Sequence, residues 1–158
     1  MSDGKMLEEK IYSTFSDVAS SIGYSPLHGK IIGVLLVQGR DMSLQELAKE
    51  TGYSASMISL SLDLLEILGV IKKVKKTGDR NLYIVLRGDL LECLKNAIIL
   101  RVKKSIDSTL LDFKKSRKDL GKLKGDEKRK MFKTLNVLEK EINRLEKYIN
   151  LLSGIRLP

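Results

Sequence analysis

The sequence predicts a mainly α-helical protein with one small β-hairpin, an α+β fold class in which short helices precede the hairpin and long helices follow it. Three observations support this prediction. Apolar residues recur every three or four positions over most of the chain. Isolated glycines stand where the helical patterns stop, and two β-prone runs flank Thr77-Gly78-Asp79. We expect an N-terminal region at 1–87, with a compact core at 26–87, and a helical region at 88–158.

Two helices are predicted at the N-terminus. The first, over residues 6–22, ends near Gly23, and Ser25-Pro26 supplies the N-cap and first position of a second helix that runs to Val37. The first helix is amphipathic, and in both helices we expect apolar residues to lie inward. The predicted inward residues are Leu7, Ile11, Phe15, Val18, Ile22, Ile31, Val34 and Leu35.

A pair of capped helices follows without spare residues. Ser43 and Glu46 have the spacing of a capping box, in which each side chain binds the backbone amide of the other, so a helix should begin at Leu44. Gly52 ends that helix. Ser54 is the N-cap of a second helix, which we place at 54–68. This order predicts a helix-turn-helix.

The second of these helices has two different faces. One face should belong to the core, with Leu60 and Leu64 at its edge, and it comprises Ile58, Ser61, Leu62, Leu65 and Leu68. The opposite face has small and hydroxyl-bearing residues, which would let the helix lie close to base edges in a DNA major groove. The alternative is an ordinary solvated surface. The candidate groove-facing set is Ser54, Ala55, Ser56, Met57, Ser59, Leu60 and Asp63.

The β-hairpin that follows is basic. Residues 72–80 contain five Lys/Arg and one Asp. A basic hairpin beside a helix-turn-helix is typical of a wing that lies on phosphates or in the minor groove, although lysines also protect exposed sheet edges. We place this wing at 72–83. Its candidate contact residues are Lys73, Lys75, Lys76, Thr77, Gly78, Arg80 and Asn81.

The sequence also resembles a known family. The run that carries the resemblance is Leu44, Leu47-Ala48, Thr51-Gly52, Ser54, Ile58-Ser59, Leu62, Leu65-Glu66, Leu68-Gly69-Val70-Ile71 and Gly78-Asp79-Arg80. This run resembles the MarR-type winged helix, and more closely its GbsR-like branch, which adds a long helical C-terminal part. The resemblance covers roughly residues 6–153. It implies a homodimeric transcriptional regulator that binds double-stranded DNA, with Arg80 near the minor groove. In the family pattern one residue separates the Asp from the Arg, whereas here Asp79 and Arg80 are adjacent.

One feature departs from a common mode of base recognition. No Lys or Arg occurs from Ser54 to Ile71. Bidentate recognition of guanine by arginine is therefore absent from this helix. We expect base contacts from Ser56 and Ser59, with Met57 against thymine methyl groups, and modest discrimination helped by DNA shape.

The C-terminal region contains a coiled-coil-like seam. Apolar residues alternate at steps of four and three over about three heptads, which predicts extended helix pairing. We expect this seam to hold a homodimer, because a palindromic operator needs two wings. The alternative is packing within one subunit against the preceding helix, at about 89–120. The seam residues are Met131, Leu135, Leu138, Ile142, Leu145, Ile149 and Leu152.

Most of the net charge lies in this helical region. Residues 101–133 contain thirteen Lys/Arg and five Asp/Glu, whereas residues 1–87 contain eleven and ten. The two long helices, joined around residues 121–125, should form a helical hairpin. This basic helical hairpin either contacts phosphates or another anionic partner, or is a solvated surface.

Several classes are excluded or disfavoured. No apolar run reaches membrane-spanning length and no secretion signal is present, so we expect a cytoplasmic location and no membrane partner. Cys93 and His28 are single, and we expect no metal, no cofactor and no enzymatic activity. A small-molecule effector is compatible with the resemblance but has no identity. Besides the regulator, two alternatives remain open: a nonspecific architectural DNA binder that uses the basic helical hairpin, and a protein-interaction winged helix.

Overall fold

The computed structural model describes residues 2–158, which divide into two compact units. The first extends to Ala97 and the second runs from Ile98 to Pro158. The elements in chain order are α1 (Asp3–Ser21), α2 (Pro26–Gln38), β1 (Met42–Ser43), α3 (Leu44–Thr51), α4 (Ala55–Ile67), β2 (Ile71–Lys75), β3 (Leu82–Leu86), α5 (Leu90–Asp119), a 3-10 turn (Leu120–Lys122) and α6 (Gly125–Ser153). The predicted fold class is confirmed.

The first unit includes the beginning of α5. Cys93 and Ala97 are buried there, and the Tyr24 hydroxyl donates a hydrogen bond to the Ala97 carbonyl at 2.6 Å. The second unit contains the rest of α5, the 3-10 turn and α6.

Helices α1 and α2 pack at unusually close range. A Cβ added to Gly29 would lie 1.9 Å from the Phe15 carbonyl oxygen, and one added to Gly33 would lie 3.4 Å from the Tyr12 Cα. The missing side chains of α2 thus allow backbone contact with α1. This contact places Tyr12, rather than the predicted Leu7, in the core.

The apolar stripe predicted for α1 was therefore partly wrong. Leu7 and Val18 are exposed, while Tyr12 and Ala19 are buried. The helix also begins earlier than residue 6, because the Ser2 hydroxyl caps it by accepting from the Lys5 amide. In α2 the predicted inward residues Ile31, Val34 and Leu35 are all buried.

The helix-turn-helix forms as its caps predict. The Ser43 hydroxyl accepts from the Glu46 amide at 3.1 Å, and the Glu46 carboxylate accepts from the Ser43 amide at 2.7 Å. Gly52 ends α3 with φ of 77°, in the left-handed region where a side chain would be strained. Ser54 caps α4 by accepting from the Met57 amide at 3.3 Å.

A three-stranded antiparallel sheet completes the first unit. Its order is β1-β3-β2, with Met42 paired to Ile84 and Lys73 paired to Ile84 from the other side. The two-residue strand β1 was not predicted from sequence. The sheet contributes three buried side chains to the core that α2, α3 and α4 form, namely Met42, Ile71 and Ile84.

The second unit is a helical hairpin. Arg117, near the end of α5, binds Asn136 of α6 at 2.7 Å, forms an ion pair with Glu139, and lies 5.7 Å from the Phe132 ring centroid. Few of its apolar side chains are buried: only Ile106, Leu120 and Ile149 in residues 98–158.

Candidate nucleic-acid interface

Helix α4 is held by one face and exposes the other. Ile58, Leu62 and Leu65 are almost fully buried, and Ser61 and Leu68 are buried beside them. These are the predicted core residues. They fix the helix against α2, α3 and the sheet, so its opposite face is directed outward at a defined angle.

The outward face carries little hydrogen-bonding chemistry. Ser56 lies with its hydroxyl 3.1 Å from that of Ser54, whereas Ser59 has an exposed hydroxyl. Leu60 is 73% exposed and Met57 is 47% exposed. The expectation that Leu60 lies at the edge of the core was wrong, because its direction on the helix is far from that of Ile58 and Leu65.

The two acidic residues of α4 are both bound to strand β2. Lys73 forms an ion pair with Asp63 through its ammonium group, and its backbone amide donates to the Glu66 carboxylate at 3.2 Å. Lys73 points toward α4 because it shares a side of β2 with the buried Ile71. The charge of Asp63 is thus paired, Glu66 accepts a backbone hydrogen bond, and both carboxylates connect the helix to the wing.

The tip of the wing is held by Asp79. Its carboxylate accepts from the Asn81 amide at 2.9 Å and from the Tyr83 hydroxyl at 2.7 Å. These two hydrogen bonds hold the pKa of the Asp79 carboxyl below its ordinary value, and the bond from the Asn81 amide is the larger cause. Asp79 therefore stays ionised and shapes the turn, and it does not pair with the adjacent Arg80.

Lys76, another lysine of the wing, also has partners within the chain. The Lys76 ammonium lies 4.0 Å from the Tyr83 ring centroid and 3.6 Å from an Asp41 carboxylate oxygen. Tyr83 thus joins both sides of the turn: its ring faces Lys76 and its hydroxyl binds Asp79. These contacts order the wing near its tip.

Three cations of the wing are left for a partner. Among residues 2–158, Lys72, Lys75 and Arg80 have exposed side chains and no ion pair. Lys72 and Lys75 lie on opposite faces of β2, and Arg80 lies in the turn that joins β2 to β3. Such cations beside a small, weakly polar helix face can attract a phosphate backbone while the helix approaches bases.

The predicted seam on α6 divides into two sets. Ile149 is buried, and Leu135, Ile142 and Leu152 are half-buried within the hairpin. Met131, Leu138 and Leu145 are exposed by 37%, 43% and 39%. The hairpin therefore covers only part of the seam.

The opposite face of α6 is basic. Five exposed cations recur at steps of four, seven, four and three, so they share one side of the helix. Two of them form local pairs, with Asp126 at 3.2 Å and with Glu141 at 3.0 Å. The five are Arg129, Lys133, Lys140, Arg144 and Lys147.

The first unit also contains an apolar cavity that no sequence pattern suggested. Its volume is about 380 Å³, and it lies between α1, α2, the end of α4 and the start of α5. Phe15, Ile22 and Leu94 are among its apolar lining residues, and His28 and Cys93 are also on its wall. Burial lowers the pKa of His28 and raises that of the Cys93 thiol.

The described part of the chain shows neither a group of metal-binding side chains nor a membrane-spanning helix. Within residues 2–158, no three His, Cys, Asp or Glu side chains form a group that could hold a metal ion. None of the described helices is long and apolar enough to cross a membrane.

Comparison with known proteins supports the fold. A crystal structure of a transcriptional regulator is similar to this chain with a TM-score of 0.59 and 20% identity, over 94% of this chain and 99% of that one. A point mutant of S. aureus MepR bound to an oligodeoxyribonucleotide (TM-score 0.44, 16% identity, 89% and 94% coverage) and the transcriptional regulator BldR from Sulfolobus solfataricus (0.42, 16%, 87% and 88%) also match. These last two likenesses are too weak for any conclusion. No family model and no curated protein matches the chain.

Proposed function

We propose that this protein is a MarR-like transcriptional regulator that binds double-stranded DNA sequence-specifically. Helix α4 enters the major groove, and the wing lies on the backbone or in the minor groove. One observation carries this proposal: the exposed face of α4 lies beside a wing whose lysines and arginine at 72, 75 and 80 have no ion pair, while the acids of α4 are already bound. The protein would act in the cytoplasm, where such a regulator meets DNA.

The active form in this proposal is a homodimer. Met131, Leu138 and Leu145 recur every seven residues and are exposed, which supports a second copy as the partner that covers them. Two copies would present two wings and two α4 helices to a two-fold symmetric operator.

The experiment that tests the proposal is selection of genomic DNA fragments by the purified protein at about 150 mM salt, followed by sequencing of what is retained. A two-fold symmetric motif would support a dimeric, sequence-specific regulator. Retention without a motif would contradict sequence specificity, and no retention would favour a protein partner for the exposed face of α4.

A second candidate function rests on the basic face of α6. Cations from Arg129 to Lys147 occupy one side of a helix over about 27 Å, a length that suits several phosphates. If this face is the main DNA-binding surface, the protein is a nonspecific architectural binder. Glutamine at Lys133, Lys140 and Lys147 would then abolish retention of any duplex, whereas under our main proposal it leaves the selected motif unchanged.

The cavity of the first unit is where we propose that an effector would bind. Its wall is mostly apolar, so it favours an apolar small molecule over a charged one. Because Leu65 of α4 and Leu68, the residue after its end, line the wall, an occupant would touch the helix that we place in the groove. Protection of Cys93 from alkylation by candidate compounds would report occupancy.

A further inference from the structure

We propose that Leu60 recognises the methyl group of thymine, so that each half-site has a thymine at a fixed position. This inference rests on the proposed function, since it specifies what α4 reads. It starts from the chemistry that the outward face of α4 offers, which is mainly aliphatic.

Hydrogen-bond recognition from this helix is weak. Residues 55–67 include no Arg, Lys, Asn or Gln, the side chains that form paired hydrogen bonds with guanine or adenine. Asp63 is engaged by Lys73, and Ser56 lies against Ser54. The exposed Ser59 hydroxyl is one group, which can donate to or accept from several bases and so discriminates poorly.

Leu60 has the position and exposure that this role needs. It lies in the second turn of α4, in the N-terminal half of the helix, which is the part of a recognition helix that contacts bases. Its side chain is 73% exposed, compared with 47% for Met57. It lies on the outward face with Ser56 and Asp63, and the unpaired wing cations nearby favour a polyanion over an apolar protein as its partner.

Thymine is the base that fits an aliphatic side chain. In the major groove it alone presents a methyl group, whereas adenine, guanine and cytosine present hydrogen-bonding atoms there. Burial of one methyl against Leu60 would contribute about fourfold in affinity at each half-site.

The chain contains a matched control for Leu60. Ile67 is 75% exposed and is the last residue of α4, seven positions and about 10 Å beyond Leu60. Replacement of either residue by Ala removes similar exposed apolar surface from the same helix. Only Leu60 lies where we place the bases.

The test uses the duplex found by fragment selection, with each thymine replaced in turn by deoxyuridine, which lacks only the methyl group. Binding of the wild-type protein, Leu60→Ala and Ile67→Ala is measured by fluorescence anisotropy, and thermal melting checks that both variants are folded. We expect one deoxyuridine position per half-site to weaken the wild type and Ile67→Ala about fourfold and to leave Leu60→Ala unaffected.

Three results would overturn the inference. If Leu60→Ala keeps the wild-type loss at that position, another residue reads the methyl. If no deoxyuridine weakens the wild type although the duplex is bound, thymine methyls are not read and the proposed function still stands. If no duplex is bound at all, the proposed function fails and this inference fails with it.

Discussion

The two units of this chain use charge in different ways. In the first unit most ion pairs join residues from different parts of the fold: Asp63 of α4 to Lys73 of β2, and the loop residue Asp41 to Lys76 beyond the end of β2. The pair of Glu92 and Lys95 on α5 is the exception. In the second unit, most pairs join residues three apart on one helix or turn, at Lys115, Lys122, Arg129 and Arg144. Pairs between elements fix geometry, whereas neighbouring pairs on an exposed helix contribute little.

The two units also differ in how they bury apolar side chains. A continuous core that includes Ile31, Leu47 and Leu62 holds the first unit, while the hairpin leaves much of α6 exposed. The packed core of the first unit therefore holds its side chains in fixed positions. The second unit leaves charge and apolar surface exposed.

The largest effect is expected where the first unit is packed most closely. Gly29→Ala should lower the free energy of unfolding by about 3 kcal/mol or more, because the new methyl overlaps the backbone at Phe15. Gly33→Ala, at an ordinary contact distance, should cost less than about 1 kcal/mol. Urea denaturation compares the two, and equal losses would contradict the packing described.

The proposed homodimer is tested by placing a charged side chain in the exposed part of the seam on α6. Leu138→Lys should weaken self-association by about a hundredfold, because a dimer would bury an unpaired ammonium group. Leu111→Lys changes a residue of α5 that is also exposed and serves as the control. Sedimentation velocity gives the assembly state; an unchanged dimer would place the interface elsewhere.

Salt dependence separates the charges of the two units. Arg80→Ala should reduce the slope of log K against log salt by about 0.9, the value for one lost phosphate contact. Lys140→Gln on the basic face of α6 should leave that slope unchanged. Anisotropy titrations at several salt concentrations measure both, and the reverse pattern would favour the architectural binder.

Neighbouring lysines of the wing should have separate roles. Lys73→Gln removes the ion pair with Asp63 and should cost about 1 kcal/mol or less of stability. Lys75→Gln should leave stability unchanged and weaken DNA binding, since Lys75 is exposed and has no ion pair in the described chain. Chemical denaturation and fluorescence anisotropy are measured on both variants. A loss of stability in Lys75→Gln without weaker DNA binding would contradict these roles.

The smallest effect concerns the cavity of the first unit. Burial lowers the pKa of His28, so the unfolded chain binds more protons at a pH between the folded-state value and about 6.5. Stability should thus decline slightly as pH falls below 6.5 and level off below the folded-state pKa. Melting temperatures from pH 7.5 to 5.5 should show this decline in the wild type and not in His28→Gln.

Local signals predicted most of the first unit. The capping box at Ser43 and Glu46, the N-cap at Ser54 and the buried face around Leu62 all form as expected, because each depends on residues within one or two helical turns. The wing was predicted for the same reason, since its strands flank one short turn.

Features that depend on distant packing were missed. The role of Gly29 requires α1 at backbone contact, which no pattern within α2 indicates. The ion pair between Lys73 and Asp63 could not be predicted without knowing which side of β2 faces α4. The position of Leu60 outside the core follows from its helical angle alone, because it lies about 140° from Leu65 around the helix.

The bound carboxylates of α4 have a consequence for how such a protein can change over generations. Under the proposed function, base choice would rest on the uncharged side chains of one helix, and attraction to phosphates would rest on the wing at Lys72, Lys75 and Arg80. A substitution in the wing would raise or lower occupancy at every site together, and a substitution at Leu60 or Ser59 would redirect the protein with little change in its overall attraction to DNA. Overall affinity for DNA and sequence preference could thus evolve separately.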